Sequence, residues 1–274
     1  NQLTHHGNSV AGWAVANFDN AASGVNLTSI MGVAYDADLH WADYGVIWSP
    51  AQWALSTDDA KAQSSVVQNN SWGWDDDLNP DNIKTYMAAN NVTLAEALVA
   101  YQAIQNEGAG DAAGDTIFDV GLSGTQQTWT AADWNAYFES VKSFQEQGVI
   151  VFALSNDNNS AMGVTGGVTK TTDTSVALPY LDSSLGDAWI TVGNVINFGT
   201  SSGNKAMYSA PCAQTKEFCV VADGVRIGGV GGDNGTDTAY INEGTGTSYS
   251  APQVSGAIAL LAQAFPLATP SVWG

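Results

Sequence analysis

A helix followed at once by a buried strand, within residues 130–154, is the feature that most constrains the fold of this chain. Aromatic and apolar residues recur at helical spacing from Ala131 to Gln147, Thr130 can cap the helix, and Gly148 follows its end. The next six residues, VIVFAL (149–154), are apolar without interruption, which is typical of a strand buried on both faces. Together they form half of a βαβ unit, so the sequence predicts an α/β fold with a mostly parallel sheet.

Several further segments have helical or strand periodicity and fit the same architecture. Helices are predicted at residues 4–17 and 94–105, a loop at 106–115, and strands at 65–71, 188–195 and 219–222. Two short apolar runs, 30–34 and 37–42, are interpreted as strands on either side of a turn at Tyr35 and Asp36. No internal repeat or linker is visible, so we expect one domain over residues 1–274.

The stretch from Gly244 to Phe265 begins with glycines and hydroxyl side chains and continues as a helix that is apolar nearly all round. A helix without a polar face is normally buried inside a larger protein. Ser248 lies at its N-terminal end, where backbone N–H groups and the helix dipole favour an anion. Ser248 is therefore either a capping residue or a nucleophile whose anionic intermediate is stabilised there.

The charge balance narrows the range of partners. The chain has 27 acidic residues against seven basic ones, a net charge of −20, and such a surface repels nucleic acid and anionic membranes. No apolar run is long enough to span a membrane. The chain begins with Asn rather than Met, so we expect a mature or excised piece of a longer protein.

Cys212 and Cys219 are the two cysteines, and six residues separate them. The two cysteines could instead be free thiols or metal ligands. A metal site is poorly supported, because there is no third soft ligand nearby. We favour a disulfide that closes a short loop, worth about 2–3 kcal/mol by loop entropy. A disulfide in an acidic chain predicts an oxidising setting, outside the cytoplasm.

An acidic segment at residues 75–81, DDDLNPD, has the carboxylate density of a Ca²⁺ site. Its spacing does not match an EF-hand loop, and the chain is acidic throughout. We therefore predict no metal site and no cofactor, and leave Ca²⁺ binding open without assigned ligands.

Three separated residues suggest nucleophilic catalysis. A serine hydroxyl such as that of Ser248 needs a neighbouring base, and His6, at the start of a predicted helix, is the candidate. Asn156 follows the buried strand at 149–154, where functional groups of parallel sheets gather. An amide donor to the oxyanion of the intermediate can contribute about 3–4 kcal/mol, and Asn156 is the candidate for it.

These residues lie in motifs that resemble those of the subtilisin-like serine proteases (subtilases). The motifs, in chain order, are HGNSVAG (6–12), GVAYDADL (32–39), NNSWG (69–73), ALSND (153–157) and GTSYSAPQVSG (246–256). The resemblance implies a three-layer α/β/α fold, a polypeptide substrate, and Ser248, His6 and Asn156 as nucleophile, general base and oxyanion donor. It covers nearly the whole chain.

The same resemblance implies a substrate cleft with two walls. One wall, which pairs with the substrate backbone, is Ser71, Trp72 and Gly73, and the wall facing it is Ala153, Leu154 and Ser155. Residues 178–195, LPYLDSSLGDAWITVGNV, and the paired cysteines also resemble the passenger domains of bacterial autotransporters. That likeness implies secretion, so we expect an extracellular or cell-surface location.

The chain departs from the family at several positions without losing a catalytic atom: Asn8 replaces Thr, Tyr35 and Asp223 replace Pro, and Ser155 replaces Gly. The acid of the triad is the larger difference. Subtilases run Asp, His, Ser along the chain, yet none of the five residues before His6 is acidic. We expect a fold truncated at both ends, without the Asp-bearing strand and a C-terminal helix.

The motifs and the missing acid allow three interpretations. An isolated piece without its triad acid should lose roughly 10⁴-fold in turnover, because the histidine lacks its orienting partner. Alternatively, the chain is a degenerate subtilase that serves as a binding or structural module. A sedolisin-type acid peptidase is a third interpretation, but it would need a Glu/Asp pair in place of His6 and an Asp in place of Asn156.

Overall fold

The computed structural model describes most of the chain. The described residues are 5–16, 31–42, 49–72, 79–108, 129–156, 172–196, 206–207, 209–224, 227–230 and 241–274. The helices are α1 (His5–Val15), α2 (Pro50–Ala62), α3 (Pro80–Asn90), α4 (Leu94–Gly108), α5 (Ala131–Gln145), α6 (Leu178–Leu181), α7 (Thr247–Ala264) and α8 (Pro270–Trp273). The strands are β1 (Val67–Asn70), β2 (Val149–Ala153), β3 (Trp189–Ile196), β4 (Ala206–Met207), β5 (Cys219–Ala222), β6 (Ile227–Val230) and β7 (Ile241–Gly244).

Four parallel strands form the central sheet, in the order β1-β2-β3-β5. The short β4 pairs antiparallel with the end of β3, and β6 pairs antiparallel with β7 in a separate ribbon. The mostly parallel α/β architecture predicted from the sequence is therefore confirmed, as are the strands predicted around 65–71, 188–195 and 219–222.

The predicted half of a βαβ unit is confirmed in detail. Thr130 and Asp133 form a reciprocal capping box at the start of α5, and all five residues of β2 are buried. Gly148 makes the tight turn between them, and its N–H donates to the Phe144 carbonyl at 2.9 Å. A Cβ at Gly148 would lie 2.7 Å from the Phe144 ring, so the turn requires glycine.

Successive residues of β2 face opposite helical layers, as the alternation of a strand requires. Ile150 and Phe152 pack into a core formed with α2, α3, α4 and α5. Val149 and Val151 pack on the other face, against Ala251 and Ile258 of α7. The sheet is therefore the middle of three layers, and α7 lies along one of its faces.

An aromatic cluster centred on Trp53 of α2 holds the first layer together. Its ring lies 5.1–5.8 Å, centroid to centroid, from four other rings, those of Trp72, Trp129, Trp134 and Tyr137. Offset and edge-on contacts at such distances stabilise a core beyond area burial. The cluster links α2 and α5 to Trp72, the second residue after the end of β1.

The strands predicted at 30–34 and 37–42 are wrong for the described residues 31–42, which form a turn flanked by irregular backbone. The backbone N–H groups of Gly32 and Ala34 donate to the Ala16 and Ala14 carbonyls at 2.8 Å. These bonds satisfy the last carbonyls of α1, so the segment caps a helix instead of pairing in a sheet.

Two of the helices that were missed, α2 and α3, carry start signals in the sequence. Ser49 and Asn79 accept hydrogen bonds as N-caps, and each precedes a proline in the first turn of α2 and α3. The end of the acidic segment 75–81 is thus a helix start, while its residues 75–78 lie outside the described residues. The loop predicted from 106 also begins later, because α4 continues to Gly108.

The predicted disulfide is present: Cys212 and Cys219 are bonded, with their Cα atoms 5.9 Å apart. The bridge spans the 3₁₀ helix Ala213–Phe218 and leads directly into β5. Among the helices in the described ranges, none combines the length and apolar character that a membrane crossing requires.

Candidate active site

The carboxyl ends of β1 and β2 meet the N-terminus of α7. Ser71 follows β1, residues 154–156 follow β2, and Ser248 is the second residue of α7. The structure therefore brings two of the predicted catalytic residues, Ser248 and Asn156, to the same edge of the sheet. This is the edge at which parallel α/β folds place their sites.

Gly246 sets the approach to α7. Its N–H donates to the Gly224 carbonyl at 2.8 Å, and its own carbonyl accepts from the Tyr249 N–H at 3.0 Å. A Cβ at Gly246 would lie 3.0 Å from Oδ1 of Asn156 and 3.3 Å from its Nδ2. The absence of a side chain lets the Asn156 amide lie directly against the turn that precedes Ser248.

Thr247 orients the Asn156 amide. Its backbone N–H donates to Oδ1 of Asn156 at 2.9 Å, and its hydroxyl lies 3.1 Å from the same oxygen. A backbone N–H can only donate, so the Asn156 atom that faces it must be the oxygen. Nδ2, with both its hydrogens, is left as the donor that can meet a developing oxyanion.

The sequence reasoning did not assign a role to Thr247, although it lies within the serine motif. Thr247 is 1% exposed, and the single hydrogen of its hydroxyl is donated to the carbonyl of Leu154. Asn194 was missed as well: its buried Oδ1 accepts the Gly224 N–H at 2.8 Å, and the Gly224 carbonyl in turn holds Gly246.

Ser248 is partly buried and makes two contacts with Ser71. The Ser71 hydroxyl donates to the Ser248 carbonyl at 3.0 Å, while the Ser248 hydroxyl lies 3.5 Å from the Ser71 carbonyl, a weak interaction. As the second residue of a helix, Ser248 has a backbone N–H without an intrahelical acceptor. That N–H and Nδ2 of Asn156 are the donors available to an anion at the serine.

His6 lies in the first turn of α1, as predicted, and its ring faces Tyr249, the residue after Ser248. The two ring centroids are 6.1 Å apart and the planes are tilted by 55°. Within the described part of the chain, no hydrogen bond joins His6 to Ser248. The structure places the histidine beside the turn that contains Ser248 and Tyr249.

Partial burial lowers the pKa of His6, because burial disfavours the charged imidazolium. His6 as a whole remains exposed, so solvent limits the size of the effect. A lowered pKa keeps the imidazole neutral at pH 7, the form that can accept a proton from a serine.

The predicted cleft residues differ in exposure. Ser71, Trp72 and Ser155 are partly exposed, whereas Ala153 is 6% and Leu154 1% exposed. The Trp72 ring packs at 5.3 Å from that of Phe152, centroid to centroid. Gly73 lies outside the described residues, and contact of any of these residues with a substrate stays a prediction.

A cavity of about 1430 Å³ extends from His6 and Ser71 along the outer side of β1. Asp36 and Asp38 also line it, but among the described residues neither forms a hydrogen bond with His6. Within those same ranges, no three His, Cys, Asp or Glu side chains gather closely enough to hold a metal ion. Ca²⁺ binding thus has no assigned ligands.

Comparison with known proteins agrees with this geometry. The sequence model of the Subtilase family (Peptidase_S8) matches residues 1–272. A search of curated proteins finds no match.

Solved structures show the same fold. The prenylagaramide maturation protease PagA is 16% identical with a TM-score of 0.55, and the match covers 98% of this chain and 70% of that one. The PatG macrocyclase in complex with peptide is 15% identical with a TM-score of 0.55, covering 96% of this chain and 54% of that one. Fervidolysin from Fervidobacterium pennivorans, a keratinolytic enzyme related to subtilisin, is 17% identical with a TM-score of 0.54, covering 97% of this chain and 30% of that one. At these identities the likeness concerns the fold alone, and this chain spans only part of each.

The direction of the His6 pKa can be tested by NMR titration of the 274-residue chain. We expect a pKa below the ordinary histidine value of about 6.5, because burial disfavours the imidazolium. The resonance is assigned by its loss in a His6→Gln variant. A pKa above the ordinary value would contradict the expectation and would reveal a carboxylate beside the ring.

Proposed function

Because the chain belongs to the subtilase family of serine peptidases, we propose that it hydrolyses peptide bonds through an acyl-enzyme formed on Ser248. The observation that carries this proposal is the Asn156 amide, which Thr247 holds with its oxygen inward at the N-terminus of α7. An oriented amide donor beside a serine at a helix N-terminus is what a tetrahedral oxyanion requires. We further propose that residues 1–274 form one peptidase domain.

In the proposed reaction, the Ser248 hydroxyl attacks the carbonyl carbon of the scissile bond while neutral His6 takes its proton. Nδ2 of Asn156 and the backbone N–H of Ser248 stabilise the oxyanion. The imidazolium then gives its proton to the leaving amine, and water hydrolyses the acyl-enzyme with His6 again as base. Ser71, Trp72 and Gly73 on one side, and Ala153, Leu154 and Ser155 on the other, would flank the bound peptide.

We propose that the carboxylate partner of His6 comes from outside residues 1–274. This is supported by the cavity beside His6, where no described carboxylate forms a hydrogen bond with the ring. The same observation favours a second candidate, a subtilase fold retained as a binding or structural module without peptidase activity. The two candidates differ in whether Ser248 becomes reactive in the complete gene product.

We propose an extracellular or cell-surface location, and a protein of the autotransporter passenger type. The disulfide, the net charge of −20 and the segment 178–195 support this. Fractionation of cells that express the complete gene should recover the domain outside the cytoplasm with its cysteines oxidised. Recovery in the cytoplasm with free thiols would contradict the proposal.

A fluorophosphonate probe tests the proposed nucleophile. We expect the complete gene product to be labelled on Ser248, and the isolated 274-residue chain to react roughly 10⁴-fold more slowly, because its histidine lacks the orienting acid. Mass spectrometry of the labelled peptide identifies the site, and Ser248→Ala is the control that should abolish labelling. Equal, rapid labelling of both proteins would rule out an acid supplied from elsewhere, and no labelling of either would favour the binding module.

A further inference from the structure

We propose that the Ser71 hydroxyl replaces a helix hydrogen bond that Pro252 cannot make, and that Ser71 and Asn69 are thereby positioning residues for the nucleophile. The inference rests on the proposed role of Ser248. It concerns the backbone of the nucleophile, which must stay in register with the oxyanion donors for attack to be productive.

The need for the bond follows from the position of Pro252 inside α7. In an α-helix the N–H of each residue donates to the carbonyl four residues earlier, so residue 252 would donate to Ser248. Proline has no N–H. The carbonyl of the proposed nucleophile therefore lacks its helical donor, in a partly buried position where an unpaired carbonyl is costly.

Ser71 supplies the missing donor from the other side of the site. Its hydroxyl donates to the Ser248 carbonyl at 3.0 Å, although the two residues are 177 positions apart in the chain. Ser71 directly follows β1, which is fixed in the central sheet by its pairing with β2. The bond thus ties the first turn of α7 to the end of a sheet strand.

Asn69 sets the direction of the Ser71 hydrogen bond. Nδ2 of Asn69 donates to Oγ of Ser71 at 2.9 Å, so the single hydrogen of that hydroxyl is left for the Ser248 carbonyl. The Asn69 amide is itself held by Ser255 of α7, whose hydroxyl donates to Oδ1 of Asn69 at 2.9 Å, a shorter contact than the 3.2 Å from that hydroxyl to the Ala251 carbonyl.

The three bonds form a relay that starts and ends on α7 and passes through the end of β1: Ser255 to Asn69, Asn69 to Ser71, and Ser71 to Ser248. Aligned donors of this kind polarise one another and strengthen the chain. The relay holds the Ser248 backbone N–H, and with it the hydroxyl, at a constant place relative to the Asn156 amide.

A double-mutant cycle of Ser71→Ala and Pro252→Ala in the complete gene product tests the relay. With Pro252 present, Ser71→Ala should lower the rate of fluorophosphonate labelling at Ser248 about tenfold, equivalent to about 1.4 kcal/mol. In the Pro252→Ala background the same change should cost less than about twofold, because position 252 then supplies a backbone N–H to the Ser248 carbonyl. If Ser71 only stabilised the fold, Pro252→Ala would not reduce the effect of Ser71→Ala on the labelling rate.

Asn69→Asp gives a second route to the same bond, should Ser71→Ala fail to fold. It keeps the oxygen that Ser255 uses and removes the donor to Ser71, whose hydrogen then turns to the carboxylate and away from Ser248. We expect the same loss of labelling, again reduced by Pro252→Ala. Ser175→Ala is the matched control, since that hydroxyl is buried without a partner among the described residues and should leave the rate unchanged.

Thermal unfolding of the same variants separates this inference from the proposed function. Ser71→Ala should lower the unfolding temperature more with Pro252 than with Pro252→Ala, whether or not the protein is a peptidase. Absence of labelling in the unmodified protein would defeat the proposed function, and the unfolding cycle would still report on the bond. If the unmodified protein is labelled, the inference is overturned when Ser71→Ala slows labelling equally with Pro252 and with Pro252→Ala. If it is not labelled, the inference is overturned when Ser71→Ala lowers the unfolding temperature equally in both backgrounds.

Discussion

The packing of α7 against the sheet is the constraint on which the candidate site depends. Ala251 and Ile258 are 0% and 2% exposed and lie on β2, which leaves the first turn of the helix at the carboxyl edge of the strands. Three polar contacts then hold that turn from different sides: Asn156 at Thr247, Gly224 at Gly246, and Ser71 at Ser248. Hydrophobic burial brings the helix to the sheet, and these bonds determine which backbone groups face a substrate.

The elements predicted correctly are those whose own sequence contains the decisive signal. The helix ending at Gln145 and the strand at 149–153 carry periodicity, a cap and a turn glycine within one continuous segment. Residues 31–42 were misread because an apolar run looks the same whether it pairs in a sheet or caps a neighbouring helix. The helices after Ser49 and Asn79 are exceptions, because each carries a cap and a proline, signals as local as those of α5, and both were nevertheless missed.

Contacts between polar residues far apart in the chain could not be predicted from the sequence, for a different reason. That Pro252 leaves the Ser248 carbonyl without a helical donor can be read from their spacing of four residues. The spacing does not show which side chain replaces the donor, because Ser71 reaches the helix only through the pairing of β1 in the sheet. The orienting role of Thr247 likewise depends on how closely Gly246 lets Asn156 approach.

The proposed reaction depends on attack by Ser248 and on stabilisation of the resulting oxyanion by Asn156. A crystal structure of the complete gene product after reaction with a fluorophosphonate tests it most directly. We expect phosphorus bonded to Oγ of Ser248, with a phosphonyl oxygen roughly 2.7–3.1 Å from both Nδ2 of Asn156 and the Ser248 backbone nitrogen. An adduct on another residue, or a phosphonyl oxygen directed away from Asn156, would contradict it.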